Sequence, residues 1–395
     1  MLPKGFLLGT EEAAIKKPGR KDLALVYSET DAAIAGVFTT NKVKGAPVKL
    51  DLERIRSGKG RAIIANSGNA NVCTGRQGMK DAMEVARIAA RGLGIEENLV
   101  YVCSTGVIGT PMPMDRIRPA IKKLSAGMGK AGLEEAARAI MTTDTFPKFI
   151  SKNLRLGGKA VRISAFAKGA GMIQPNMATM LCFIMTDAAV GKTLLKRMLS
   201  DAAEKSFNRI SVDGDTSTSD TVLMMANGRA GNPPLKEGST DYKKFKGALD
   251  SICYELARMV VKDGEGATKL IELIIKGAKS EKEALRGALT VANSLLFKTA
   301  MYGNDSNWGR IMAALGRSGI TLDEARVDIS LQRLSIVKKG STLNKDREAN
   351  RILSENDEVT ITINLNISKG GSGSARVLTC DLSEKYVRIN AEYRS

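Results

Sequence analysis

The sequence predicts an α/β protein in which strands and helices alternate along the whole chain. Three observations carry this. Apolar residues recur with the two-residue period of strands in some segments and the 3.6-residue period of helices in others. No fixed-period repeat or low-complexity linker separates the two kinds of segment. The chain has 395 residues, 43% of them hydrophobic, enough for a large core in two domains or one two-lobed unit.

The elements follow in order. "LALVYS" and "AAIAGVFTT", within residues 23–50, alternate as strands do, and "RAIIANSGNANVCTG" runs from a strand into a Gly/Asn loop. "MKDAMEVARIAARGLG" has helical spacing and should stop at Gly92 or Gly94, because glycine readily takes the left-handed conformation that ends helices. "LVYVCSTGVIG" is a strand (Leu99 to Cys103) and then a loop, with helices expected over 114–127 and 132–141. "SKNLRLGGKAVRISAFAK" reads as a hairpin, and "TMLCFIMTD" as a buried strand followed by the helix "KTLLKRMLSDAAEKS". Phe245, Leu249, Ile252, Leu256 and Met259 repeat at steps of four and three and mark one face of a long helix. "SEKEALRGALTVANS" is a helix with Ser280 and Glu283 placed for a capping box. In "DEVTITINLNI", Val359, Ile361, Ile363, Leu365 and Ile367 alternate with polar residues, and "SARVLTCDLS" is expected to pair with it across a Gly-Gly-Ser-Gly turn.

Composition narrows the function. The net charge is +18, but Lys and Arg are spread along the chain among Asp and Glu, and only 4% of residues are aromatic. That pattern fits a surface that attracts small anionic substrates better than a nucleic-acid interface, which concentrates its charge. No run of 18 apolar residues suggests a membrane span, and the opening "MLPKGFLLGTEEAAIKK" is too short in apolar residues for an export signal. Cys73, Cys103, Cys182, Cys253 and Cys380 form no CxxC pair, so buried thiols, a cytoplasmic setting and no metal site are expected. The chain has no histidine. Ser-His-Asp triads, Cys-His dyads and HExxH zinc sites are thereby excluded, and any base is a carboxylate, a lysine, a tyrosine or an α-amine.

Several stretches invite chemistry. "TDAAVGKTLLKR" has a Gly-Lys-Thr before a helix, but Thr186 stands where a phosphate loop needs its first glycine, so it reads as a plain helix start. "DGDTSTSD" (Asp213 to Asp220) lacks the glycine and the terminal Glu of a calcium loop and reads as a polar loop that caps or lines something. In "CSTGVIG", a hydroxyl beside a glycine amide suits an oxyanion, but on its own the stretch reads as an ordinary strand-to-helix turn. In "DGEGATKLIELII", Asp263 and Glu265 sit where a carboxylate holds a substrate ammonium or caps. "KGAGMIQPNMATMLCFIMTD" places Ala178-Thr179 before a buried strand, behind Lys168. If the bond before Thr179 is cut, the new α-amine, with a pKa of roughly 7.7–8, sits next to its own hydroxyl and can take its proton. The alternative is an ordinary threonine at a strand entrance. The residues alone favour the ordinary threonine, and the absence of histidine is what keeps the nucleophile reading open.

The segment "KGAGMIQPNMATML" also closely resembles the self-cleavage segment of the ornithine acetyltransferase (glutamate N-acetyltransferase) family of arginine biosynthesis. "NSGNANVCTG", "CSTGVIG", "MTTDTFPK", "NRISVDGDTSTSDTV", "KDGEGATK", "MYGNDSNWGRIMAALG" and "YVRINAEYRS" follow in that family's order and spacing over essentially the whole chain. The resemblance implies a layered α/β sandwich shared with self-processing aminopeptidases. It implies self-cleavage between Ala178 and Thr179 into an α chain (1–178) and a β chain (179–395), held as an α2β2 tetramer. Thr179 would be the nucleophile, and Thr105 and Gly106 the oxyanion pair. Thr142 (with Thr143 and Thr145 beside it), Lys168, Thr179, Glu265, Asn390 and Ser395 match substrate-contact positions, so the C-terminal tail should return to the site. The implied reaction moves acetyl from N2-acetyl-ornithine to glutamate through an acetyl-threonine, with no metal or organic cofactor. Some members also take acetyl-CoA as donor. One departure is Gln174, where many relatives carry His. The rival readings are a self-processing aminopeptidase, which would pass the acyl group to water, and a non-catalytic basic binding protein.

Overall fold

Apolar runs closed on both faces build the centre of the molecule, a computed structural model that describes residues 1–174, 180–367 and 373–392. The N-terminal half supplies strands β1 (Phe6–Glu11), β2 (Leu23–Phe38), β3 (Lys59–Asn66), β4 (Val100–Ser104), β5 (Lys148–Leu156), β6 (Lys159–Lys168) and β7 (Leu181–Thr186). It also supplies helices α1 (Ala46–Arg54), α2 (Gly75–Leu93), α3 (Met114–Ala126) and α4 (Leu133–Ile140). Next come α5 (Lys192–Lys205), β8 (Ile210–Ser211), β9 (Thr221–Ala226), α6 (Thr240–Lys262) and β10 (Leu270–Ala278). The last part holds α7 (Glu281–Ala292), α8 (Leu295–Tyr302), α9 (Trp308–Gly316), β11 (Asp328–Leu331), β12 (Leu334–Lys338), β13 (Ser341–Thr342), α10 (Asp346–Glu355), β14 (Glu358–Asn364), β15 (Gly373–Cys380) and α11 (Glu384–Glu392).

Among the described residues the strands form two sheets. One runs β4-β3-β2-β9-β7-β6-β5, with β1 added beside β2; the other runs β13-β12-β11-β14-β10-β15-β8. The long β2 pairs with β1 through its first half and with β9 through its second. In β7, Cys182 and Ile184 face the core shared with α5 and α6, while Leu181, Phe183 and Met185 face the core shared with α4. Burial on both faces is why "LCFIMT" carries no polar alternation. Leu270, Leu378 and Cys380 of the second sheet join the α5–α6 core, so those helices lie between the two sheets. Helices α7 to α10 cover the second sheet.

The sequence expectations hold for most elements. Helix α2 ends at Gly94 in the left-handed conformation, and β14 buries every second residue. Three expectations need correction. "SARVLTCDLS" does not pair with "DEVTITINLNI": β10 lies between them, parallel to β14 and antiparallel to β15. The Ser280 hydroxyl caps α7 at the Glu283 amide, but the Glu283 carboxylate bonds Thr321 instead of closing the capping box. Cys73 is exposed, while the other four cysteines are buried. No helix is long and apolar enough to cross a membrane among the described residues.

Candidate active site

The site forms where strand ends of the first sheet converge. Strands β3 and β4 run parallel, so both carboxyl ends open on one side. Ser104 Oγ donates to Asn66 Oδ1 (2.6 Å), and Asn66 Nδ2 donates to the Asn69 carbonyl (2.8 Å). The next loop is pinned by Thr105 N to Asn66 O (3.0 Å) and Val107 N to Gly68 O (3.3 Å). Gly106 lies between them at φ +132°, and a Cβ there would collide with the Gly68 carbonyl carbon. The backbones of two loops therefore meet at a point only glycine permits.

Lys168, the last residue of β6, reaches this loop. It is buried, and its Nζ lies 2.8 Å from Thr142 Oγ1, 3.5 Å from Thr105 Oγ1 and 3.9 Å from Asp144 Oδ2. Burial pushes its pKa below the ordinary lysine value, opposed by the Asp144 carboxylate, with Lys148 reinforcing the fall and Glu265 and Asp220 resisting it. A buried cation beside a threonine hydroxyl is suited to charge that develops on an oxygen there.

A closed ion network fixes that lysine. Asp144 accepts Lys148 Nζ (2.7 Å), Gly169 N (2.7 Å) and Thr142 N (3.0 Å). Lys148 Nζ also donates to Asp263 (2.5 Å), and Asp263 takes both the amide and the hydroxyl of Thr145. The side chains of all three charged residues are at most 1% exposed. Burial would raise the Asp144 pKa, but Lys168 and Lys148 hold its carboxyl well below the usual range. One network thus ties the Thr142 loop, the start of β5, the end of β6 and the loop after α6.

The loop after α6 forms the other wall. Glu265 N donates to the Ala170 carbonyl (2.9 Å), and the Glu265 carboxylate lies where a Cβ on Gly171 would stand. Asn390 Nδ2 of α11 donates to Glu265 Oε2 (2.8 Å), and Ser383 Oγ to the Gly266 carbonyl (2.5 Å). The C-terminal helix therefore docks on this loop. Tyr386 of that helix has its phenol pushed up by burial, then by Asp213 and Glu265.

The structure thus brings Thr105, Gly106, Thr142 and Lys168 together and places Glu265 with Asn390 within electrostatic reach of Lys168. Thr145 serves Asp263 rather than Lys168. Ala178, Thr179 and Ser395 lie outside the described residues. Asp144, Lys148 and Asp220 were not singled out by sequence reasoning; "MTTDTFPK" holds the first two, but nothing in its spacing marks a buried ion pair. "DGDTSTSD" does cap, as expected: Asp213 accepts Met172 N (2.6 Å) and Ile173 N (2.8 Å). A cavity of about 290 Å³ lined by Lys16, Lys17, Arg20, Gly68 and Thr142 opens beside the site. No cluster of three or more metal-ligating side chains occurs among the described residues.

The model of the ArgJ family matches residues 8–395. A relative from Geobacter sulfurreducens, named arginine biosynthesis bifunctional protein ArgJ, is 52% identical over 393 residues, covering 99% of each chain. One of the same name from Symbiobacterium thermophilum is 49% identical over 395 residues, covering 100% of this chain and 98% of the relative. A solved arginine biosynthesis bifunctional protein from Bacillus halodurans is similar at TM-score 0.51 and 42% identity, covering 53% of this chain and 98% of that chain.

Proposed function

Because the chain belongs to the ArgJ family, we propose that it transfers acetyl from N2-acetyl-ornithine to glutamate through an acetyl-Thr179 intermediate. The carrying observation is the cluster of buried Lys168 and Thr105 with half-buried Thr142, within electrostatic reach of Glu265, which Asn390 bonds. One wall suits an oxyanion and the other a substrate ammonium, and Thr179 lies two residues before β7.

The precursor first cuts itself between Ala178 and Thr179. The solved Bacillus halodurans chain, matched over nearly all its length by about half of this one, supports a polypeptide divided near its middle. The cut does not separate two sheets, because β6 and β7 are neighbours in one sheet. Chains 1–178 and 179–395 thus remain associated, and two copies of each form the α2β2 assembly. The Thr179 hydroxyl then loses its proton to its own α-amine as Oγ bonds to the acetyl carbonyl carbon. The Thr105 hydroxyl and Gly106 amide receive the oxyanion, with the Lys168 charge behind them. The C–N bond breaks, the α-ammonium returns its proton to the departing ornithine nitrogen, and an acetyl ester remains. The glutamate amine attacks that ester in the reverse sequence. Every proton is carried by the chain or the substrates, and no metal or organic cofactor enters.

We infer that acetyl-CoA also loads Thr179. The relatives are named bifunctional, and the cavity with Lys16, Lys17 and Arg20 beside Thr142 fits a phosphate-bearing donor. A cytoplasmic location accords with small-molecule biosynthesis.

The test measures ornithine released from N-acetyl-ornithine with and without glutamate. Transfer predicts release that depends on glutamate, with double-displacement kinetics. Glutamate-independent release would instead identify an aminopeptidase-like hydrolase.

A further inference from the structure

Helix α7 buries Ala284, Ala288, Val291 and Ala292 in the core of the second sheet. Its outer face carries Lys282, Leu285, Arg286 and Leu289, spaced so that they are neighbours on a helix. The two leucines are half-buried at the rim of that core, and the two cations beside them are exposed. Arg317, at the end of α9, joins them to line a groove of about 480 Å³, within the ordinary size of a small-molecule site.

The charge in this groove is uncompensated. None of Lys282, Arg286 and Arg317 forms an ion pair among the described residues. The acids next to them are engaged elsewhere: Glu281 accepts Arg209 Nη2 (2.6 Å), and Glu283 accepts Thr321 N (3.0 Å) and Thr321 Oγ1 (3.3 Å). Three other basic cavities differ, because each carries its own carboxylate. Asp22 stands with Lys17 and Arg20, Asp187 with Lys4 and Arg155, and Glu11 with Lys21 and Lys123. The α7 groove has no carboxylate among its described lining residues. Its guanidiniums are nonetheless held in place. Arg286 Nη1 donates to the Gly319 carbonyl (3.2 Å) and Arg317 Nη2 to the Thr290 carbonyl (3.5 Å), which leaves the rest of their donors open among the described residues.

Gathered cations without a counter-ion repel one another, and a multiply charged anion relieves that repulsion. Forked guanidinium donors match phosphate oxygens, and two half-buried leucines offer an apolar surface for a ring to cover. A second copy presenting the same face is a poor occupant, since the three cations of each copy would meet. We propose that the α7 groove binds a nucleoside polyphosphate, its phosphates on Lys282, Arg286 and Arg317 and its base over Leu285 and Leu289. The groove shares no residue with the Lys168 cluster or the Glu265–Asn390 wall, so it is a site apart from the reaction. A free nucleotide and the nucleotide end of coenzyme A carry this same chemistry.

The experiment is equilibrium dialysis of the full protein with magnesium-free ATP, tripolyphosphate, adenosine and coenzyme A at an ionic strength of about 0.15 M. One saturable ATP site per chain is expected. Tripolyphosphate should bind about tenfold more weakly or worse, for want of a base on the leucines, and N-acetyl-ornithine should not displace ATP. Arg286→Glu with Arg317→Glu should weaken ATP binding about 10²-fold or more. Lys4→Glu with Arg155→Glu makes the same change of charge in the cavity that holds Asp187 and should leave ATP affinity within about threefold, as expected where local contacts outweigh net charge. Thermal melting checks that both variants are folded. Tighter binding of coenzyme A than of ATP, lost in the Arg286/Arg317 variant, assigns the groove to the coenzyme; the reverse order assigns it to a free nucleotide. Absence of saturable ATP and coenzyme A binding overturns the proposal. So do equal losses in the two double variants, tripolyphosphate binding as tightly as ATP, and displacement of ATP by N-acetyl-ornithine.

Discussion

Thr179→Ala is expected to leave one uncut chain of 395 residues and to abolish acetyl transfer. Both losses have one cause. In the proposed mechanism, one hydroxyl attacks the preceding carbonyl in the precursor and then the acetyl group in the mature protein. With no histidine in the chain, no side-chain base of the usual kind would replace the α-amine that the proposed cut creates. Transfer should fall by about 10⁴-fold or more, the scale on which loss of a nucleophile acts. Thr179→Ser keeps a hydroxyl in the same place and should still be cut, more slowly, and retain measurable transfer. Time-resolved intact mass and the glutamate-dependent assay check both variants. Retained transfer in Thr179→Ala would reject the nucleophile assignment.

Lys148→Met should destabilise the fold by about 3–5 kcal/mol, the cost of leaving buried charge unpaired. Methionine fits the space but leaves Asp144 and Asp263 facing each other without a cation between them. The damage reaches the site directly, because Asp144 carries the Thr142 and Gly169 amides and Asp263 begins the loop that presents Glu265. Thermal melting of the variant checks the magnitude. Adding Asp144→Asn and Asp263→Asn should recover part of the loss by removing the uncompensated charges, and an unchanged melting temperature in Lys148→Met would contradict the assigned role. The pH dependence has a definite sign. The Asp144 pKa is depressed in the fold, so its contribution is complete above the ordinary carboxylate range and is lost only as pH falls into strong acid.

Local signals made most elements legible. The alternation of Val359, Ile361 and Ile363 names the buried face of β14, and the glycines after Ala90 name the end of α2. The partner of β14 was not legible. Strand β10 ends some eighty residues earlier and pairs in parallel, so nothing in the local turn chemistry around 370 reveals it. The candidate site divides the same way. Thr105, Gly106 and Glu265 stand in glycine-rich loops after recognisable elements, and family motifs named Thr142, Lys168 and Asn390. Lys148 and Asp144 looked like ordinary charges, and Asp263, read as a loop carboxylate for a substrate ammonium or a cap, instead pairs with Lys148; burial and pairing come from three separate segments meeting. Asp220 was legible only as part of a polar loop; its bond to Met180 N is a property of packing.

The central claim is a covalent acetyl group on a threonine that the chain itself has made N-terminal. The most direct test is to incubate the purified natural chain with N-acetyl-ornithine and no glutamate, quench it, and record intact masses. The account predicts two polypeptides, 1–178 and 179–395. The second should carry one acetyl group that maps to Thr179 and disappears when glutamate is added. A single uncut polypeptide, or an acetyl group on any other residue, would contradict it.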